Sequence, residues 1–259
     1  MNNDNITQIS AERERERVYL ASCSFGKDSL AMVLRLIEEN KPLDEVIYYD
    51  TGMEFKSIYS NRDKVSNVLY KNNIKFTTLK PEQNFYYQML VKPVKKRNKA
   101  EGEYSYTYGY DWCGGLCRWG TSEKTRVLDK YCKTQYPDKE IFQYIGIAFD
   151  EQERMKNDQH KLYPLVEWKM LEKDCLQYCY DHGYDWDEDG TELYSLLDRV
   201  SCWCCRNKNL KELKNIYQYL PRYWQMLRGL QSRIDRPMKG EGKSVFELEE
   251  RFKKELSES

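Results

Sequence analysis

Residues 18–37 of the 259-residue chain read VYLASCSFGKDSLAMVLRLI. The apolar, β-prone run Val18 to Ala21 predicts a strand, and Ser22-Cys23-Ser24-Phe25-Gly26 predicts a turn. Asp28-Ser29 then opens a helix whose apolar positions Leu30, Met32, Val33, Leu36 and Ile37 recur at helical spacing. The first turn of such a helix carries unpaired backbone N–H groups and the positive end of the helix dipole, both of which favour phosphate. Gly26 lets the backbone come close to a ligand, Lys27 adds a point charge, and Asp28 is placed to hold magnesium. The loop is not of the GxxxxGK[ST] type, because the flanking glycines are missing and a carboxylate follows the lysine. A nucleotide site on a different kind of phosphate loop is expected.

Outward from this unit, strands and helices alternate. Strands are expected over residues 18–23, 45–50, 75–80 and 141–148, and helices over 29–39, 57–72 and 122–134. This pattern predicts an α/β fold with a doubly wound, mostly parallel sheet. Residues 92–111, with the runs KPVKKRNK and YSYTYGYDW, show neither period and are expected to form a long loop. Beyond residue 168 the chain turns helical, over 170–184, 191–197, 210–233 and 245–256. The expected division is a nucleotide-binding domain over residues 1–168 and a helical C-terminal region over 169–259. ERERER at residues 12–17 reads as a solvated helix face.

The chain carries 42 basic and 42 acidic residues, which excludes a globally basic nucleic-acid binder, so any such surface is local. With 32% charged residues and a mean hydropathy of -0.88, no stretch approaches the ~20 apolar residues of a membrane helix. The polar N-terminus lacks the apolar core of a signal peptide, so a cytoplasmic protein without membrane partners is expected. Nine cysteines in that setting point to metal or thiol chemistry rather than disulfides. With only His160 and His182 present, a metal site would be built mainly from thiolate.

Ligands of open α/β sheets sit beyond the carboxyl ends of the strands. Those ends carry Asp50-Thr51-Gly52-Met53-Glu54-Phe55 and Gly146-Ile147-Ala148-Phe149-Asp150-Glu151, with Arg154 one turn later. Arg154 also stands where a surface ion pair with Glu151 or Glu153 is expected. Cysteines group as Cys113-x3-Cys117 and Cys202-Trp203-Cys204-Cys205. Two close pairs meeting in space supply the four thiolates of a tetrahedral zinc or a [4Fe-4S] cluster. The ligands expected are Cys113, Cys117, Cys202 and Cys205, with Cys204 able to replace either member of the second pair. Cys175 and Cys179, one helical turn apart, are expected to be core.

Ser24-Phe25-Gly26-Lys27-Asp28-Ser29 resembles the SGGxDS-type pyrophosphate loop of the adenine nucleotide alpha hydrolases, or PP-loop ATP pyrophosphatases, in the spelling of the phosphoadenosine phosphosulfate reductase family. DTGMEF at residues 50–55 is similar to that family's DTGxEF segment, and residues 146–154 to its G-x-x-x-D-E-x-x-R segment. Trp112 to Thr121, with Lys124 downstream, is similar to its RWCT-x-x-x-K segment, with Gly120 where the family has cysteine. Ser201 to Cys205 is similar to the cysteine-rich segment of sulfur-transferring relatives, with Arg206 in place of the usual proline. The resemblance spans about residues 18–220. It implies a nucleotide site on Ser22, Ser24, Phe25, Gly26, Lys27, Asp28, Ser29, Asp50, Thr51, Gly52, Gly146 and Asp150, with Lys27, Asp28 and Arg154 catalytic.

Family reductases attack sulfate sulfur with a cysteine in a C-terminal Glu-Cys-Gly-x-His segment, and here no cysteine follows Cys205. The Lys27-Asp28 pair instead suits the β,γ-pyrophosphate of ATP with Mg2+. The expected activity is therefore adenylation of an acceptor with release of pyrophosphate, followed by sulfur transfer. The acceptor expected is tRNA or DNA, met by Lys92, Lys95, Lys96, Arg97 and Lys99 beside the tyrosine-rich run, and the sulfur expected comes from a donor protein. The alternatives are a sulfonucleotide reductase using a partner's thiol and a non-catalytic nucleic-acid-binding subunit with a four-cysteine metal site.

Overall fold

The computed structural model describes residues 16–97, 104–113 and 116–258. Five parallel strands form the central sheet in the order β3-β2-β1-β6-β7: Lys75–Leu79, Glu45–Tyr49, Arg17–Ser22, Glu140–Tyr144 and Lys161–Leu162. All five residues of β2 are buried, as expected of a central parallel strand covered on both faces. Helices α1 (Lys27–Glu38) and α2 (Lys56–Lys71) make the crossovers from β1 to β2 and from β2 to β3. The chain then crosses back to place β6 on the other side of β1, so the strand order reverses between β1 and β6. A crevice for ligands opens at that reversal.

Helix α3 (Glu123–Gln135) lies against a second patch of core made by Val18, Leu20, Ile47 and Cys132, joined by Leu128 and Tyr131. It is tethered there by the fully buried Glu45 carboxylate, which accepts from Tyr131 Oη at 2.7 Å, from Tyr136 Oη at 2.6 Å and from the Thr77 hydroxyl. A carboxylate that deep persists only because its oxygens are hydrogen-bonded. The main core draws on both halves of the chain: Phe25, Leu30 and Met32 share it with Cys175, Trp186, Leu213 and Trp224. The C-terminal half supplies α5 (Glu172–Asp181), which packs on α1, and then α6 (Leu193–Leu196), α7 (Leu210–Tyr219), α8 (Pro221–Gln231) and α9 (Val245–Ser257). A short α4 (Pro164–Glu167) precedes them.

The structure corrects four expectations. Residues 92–111 are not a bare loop: β4 (Pro93–Arg97) and β5 (Tyr104–Tyr108) pair as an antiparallel hairpin. The helix expected over 210–233 is two helices, because Leu220 precedes Pro221 and takes φ −127°, ψ 60°, outside the helical region. The helix expected over 191–197 shrinks to the single turn of α6, and β7 adds an edge strand. Of the expected helix face at residues 12–17, residues 12–15 lie outside the described residues and Arg17 begins β1. Among the described residues no helix is long and apolar enough to cross a membrane.

Candidate active site

At the reversal point a cleft of about 470 Å³ is walled by the exits of β1 and β6 and by the start of α1. Ser22, Ser24, Gly26, Lys27, Asp28 and Ser29 line it on one side, and Gln143, Ile145 and Gly146 on the other. Gly146 runs so close to α1 that a Cβ there would fall 2.9 Å from Ser29 Cα, which explains why glycine holds this position. The loop is shaped by its own hydroxyls. Ser29 Oγ accepts from Ser24 N at 3.1 Å, lies 3.1 Å from Ser24 Oγ, and donates to the Gly26 carbonyl at 3.2 Å. Phe25 takes a left-handed φ of +58°, a strain of the order of 1 kcal/mol in a non-glycine residue. Its ring is anchored edge-on against Tyr48, with centroids 5.0 Å apart, and its carbonyl accepts from Trp186 Nε1 at 2.9 Å. Phe25 therefore bends the loop from the core side and does not line the cleft.

Charge in the cleft is closely balanced. Lys27 Nζ lies 3.1 Å from both Asp28 oxygens and 2.5 Å from Glu172 Oε2. Burial works against the Lys27 ammonium, but the two carboxylates outweigh it and hold its pKa above the ordinary value. Burial pushes Asp28 up to about 6 despite the pull of Lys27. The Lys27 N–H donates to Tyr194 Oη at 2.8 Å, so a tyrosine hydroxyl rests on the helix N-terminus. Arg154 is 45% exposed at the cleft edge and pairs with Glu151, the ion pair expected of it.

A second cavity of about 330 Å³ adjoins the first. Cys113, Cys117, Cys202, Cys204 and Cys205 all line it, together with Thr51, Glu54, Tyr48, Tyr49, Trp112 and Trp119. Ser24 and Lys124 line both cavities. Cys202 is brought in by the loop before α7, where the Trp203 N–H donates to the Met53 carbonyl at 3.1 Å and ties that loop to the exit of β2. Its Sγ lies 3.5 Å from Thr51 Oγ1 and from Glu54 Oε1. Burial raises the thiol pKa of Cys202 and Cys204 and the carboxyl pKa of Glu54, and lowers that of the Lys124 ammonium. The hydrogen bond between Cys113 and Cys117 lowers the thiol pKa of the first and, together with burial, raises that of the second.

Cys117 also stands close to Gly120. Its Sγ accepts from the Gly120 N–H at 3.3 Å and sits 3.1 Å from where a Cβ at Gly120 would stand. A side chain at residue 120 would therefore crowd the sulfur of Cys117.

Among the described residues no three His, Cys, Asp or Glu side chains converge as a ready-made metal site. The donor set nevertheless fits a thiophilic group. Five thiols share one chamber, and four of its buried wall atoms lack partners: Trp112 Nε1, Trp119 Nε1, Tyr48 Oη and Tyr49 Oη. Unpaired buried polar groups are costly, and these four are closed off within the packed wall of the chamber.

The remaining residues singled out in the sequence stand off both cavities. Asp50 accepts from the Gly52 N–H at 2.8 Å and from Tyr59 Oη at 2.9 Å, shaping the turn after β2. Asp150 accepts from the Glu172 N–H at 3.1 Å and so holds the start of α5, from which Glu172 reaches Lys27. Gly114 and Gly115, between the first two cysteines, lie outside the described residues. Glu172, Tyr194 and the bridging role of Lys124 escaped the sequence reading. Only Lys124, through the RWCT-x-x-x-K likeness, carried a signal.

A parallel sheet that delivers a phosphate loop at its reversal point defines an α/β phosphate-loop protein. The chain belongs to the phosphoadenosine phosphosulfate reductase domain family, whose model matches residues 18–205. It is similar to two uncharacterized proteins of Methanocaldococcus jannaschii. MJ0066 is 24% identical over 226 residues, covering 80% of this chain and 40% of that protein. MJ0973 is 25% identical over 222 residues, covering 81% and 48%. The chain thus spans less than half the length of either relative. Among solved structures it is similar to the U34-tRNA thiolase NcsA from Methanococcus maripaludis with its [4Fe-4S] cluster. The identity is 12% and the TM-score 0.43, over 95% of this chain and 74% of that one, a likeness too loose to carry a functional argument.

Proposed function

We propose that the chain binds ATP with Mg2+ in the cleft, transfers AMP to an acceptor oxygen with release of pyrophosphate, and then exchanges that oxygen for sulfur beside the thiol chamber. The observation that carries this reading is the common wall: Ser24 of the phosphate loop and Lys124 line both cavities. An α-phosphorus near Ser24 would lie between a pyrophosphate site at the start of α1 and a chamber of thiols.

In this mechanism Lys27 gives up one of its two carboxylate partners for a β-phosphate oxygen, and Asp28 would hold the magnesium, which would neutralise charge on the pyrophosphate. The helix N-terminus takes the charge that develops on the departing pyrophosphate. Lys124 faces the α-phosphate as an acceptor oxygen attacks in line and the bond to pyrophosphate breaks. A hydrosulfide then adds at the acceptor carbon, the C–O bond to AMP breaks, and AMP leaves with its electron pair while the hydrosulfide proton passes to solvent. Neither step changes a net oxidation state. Cys113, Cys117, Cys202 and Cys205 would hold a [4Fe-4S] cluster or zinc, with Cys204 behind them. A cluster held by only three of these thiolates would leave one iron open, and that iron would supply a point of attachment for incoming sulfide. The sulfide would come from a donor protein in the cytoplasm.

The test is product analysis by phosphorus NMR after ATP turnover by anaerobically purified protein with a nucleic-acid acceptor pool and sulfide. AMP and pyrophosphate are expected, and ADP with phosphate would overturn the reading. Family membership favours a second reading, sulfonucleotide reduction with a partner's thiol. It predicts sulfite release from phosphoadenosine phosphosulfate in the presence of thioredoxin.

A further inference from the structure

The β4–β5 hairpin has a feature that the proposed chemistry leaves unused. In its register Lys95 stands opposite Tyr106 and Pro93 opposite Tyr108, so Tyr104, Tyr106 and Tyr108 alternate onto one face together with Lys95. These tyrosines are 55%, 61% and 71% exposed. Three adjacent rings standing in water are not a core face, and among the described residues they remain more than half exposed. Lys95 Nζ lies 3.7 Å from the Tyr104 ring centroid, and neither described strand contains an acidic residue.

The hairpin is also fixed in place. Gly109, with φ +72°, donates its N–H to the Lys92 carbonyl at 2.8 Å. A Cβ there would fall 2.0 Å from the Met89 carbonyl oxygen, so the backbones touch. The Asp111 N–H donates to that same Met89 carbonyl at 3.1 Å, and Met89 and Asp111 both line the thiol chamber. Tyr108 stands three positions before Asp111, so its Cα lies within about 11 Å of the Cα of a residue that lines the chamber.

We propose that this face is a stacking platform for single-stranded nucleic acid, which lays successive bases on Tyr104, Tyr106 and Tyr108 with a phosphate against Lys95, and leads one nucleotide to the thiol chamber. The proposal deepens the functional reading above by naming its acceptor class. Spaced aromatic rings with interleaved cations bind unpaired strands irrespective of sequence, because every base has a face to stack. A duplex, whose bases are already stacked, offers these rings nothing.

The test uses the full chain and fluorescent oligonucleotides of about 12 nucleotides, as RNA, DNA and duplex, read by anisotropy at two salt concentrations. Single strands are expected to bind and duplex to bind at least about tenfold more weakly. Tyr106→Ala is expected to cost about tenfold in affinity, Tyr106→Trp to restore it, and Lys95→Ala to flatten the salt dependence. A preference for RNA or DNA identifies which strand is the acceptor, and either supports the platform. Equal binding of duplex and of a polyglutamate control, or full binding by Tyr106→Ala, overturns it. ATP binding measured on the same Tyr106→Ala protein separates the two readings. It is expected to be unchanged, so loss of strand binding with ATP retained strikes the platform, and loss of ATP binding by the parent chain strikes the functional reading.

Discussion

The two cavities share a wall and differ in how their polar groups are satisfied. In the phosphate-loop cleft the principal groups already have partners: Lys27 has Asp28 and Glu172, its N–H has Tyr194 Oη, and Arg154 has Glu151. In the thiol chamber four buried donors, on Tyr48, Tyr49, Trp112 and Trp119, have none. On the functional reading proposed above, an incoming phosphate would displace one of the cleft's internal partners. The chamber's orphaned groups are closed off in its packed wall and carry the cost of burial uncompensated by any hydrogen bond.

The largest effect expected from breaking this contrast is at Lys27. Lys27→Ala leaves Asp28 and Glu172 facing one another and removes the charge on the leaving pyrophosphate. Turnover of ATP to AMP should fall about 10²–10³-fold, or roughly 3–4 kcal/mol, in a single-turnover assay. Next comes the pH dependence of Asp28, whose pKa is raised to about 6 in the folded chain from an ordinary 3.8. The folded state therefore holds its proton more tightly than the unfolded state. The resulting cost is absent below about pH 4, grows as pH rises to about 6, and is constant above. Urea melts from pH 4 to 7 should show Asp28→Asn gaining on the parent chain by about 2 kcal/mol over that window.

Smaller effects lie in the chamber and at the rim. Tyr49→Phe deletes a buried hydroxyl without a partner, so the apo protein should gain about 1 kcal/mol in a denaturant melt, whereas a paired hydroxyl would give a loss. Arg154→Ala breaks a half-exposed ion pair and should change stability by about 0.5 kcal/mol or less in the same melt.

The sequence made the phosphate loop and the sheet legible because both leave local marks: the continuous apolar runs of buried parallel strands, and a turn that opens an amphipathic helix. The hairpin left a weaker mark: Tyr104-Ser105-Tyr106-Thr107-Tyr108 alternates with the period of a strand, but its partner Pro93-Val94-Lys95-Lys96-Arg97 does not, and the exposed tyrosines supply no buried face to confirm it. The break between α7 and α8 was available from Pro221 and the restriction it puts on Leu220. Asp50 and Asp150 illustrate the opposite difficulty. They occupy motif positions at strand ends, yet their carboxylates turn to backbone N–H groups and, for Asp50, a tyrosine, which residue type and spacing do not reveal. Glu172 and Tyr194 reach the loop from more than 140 residues away, and only the packing of α5 and α6 brings them there.

The central claim is that the loop is matched to ATP rather than to a sulfonucleotide. Calorimetric titration of the full chain with Mg-ATP and with phosphoadenosine phosphosulfate, repeated on Lys27→Ala, tests it most directly. The account predicts tighter, magnesium-dependent binding of ATP that Lys27→Ala abolishes. Tighter binding of phosphoadenosine phosphosulfate, or ATP binding indifferent to Lys27, would contradict it.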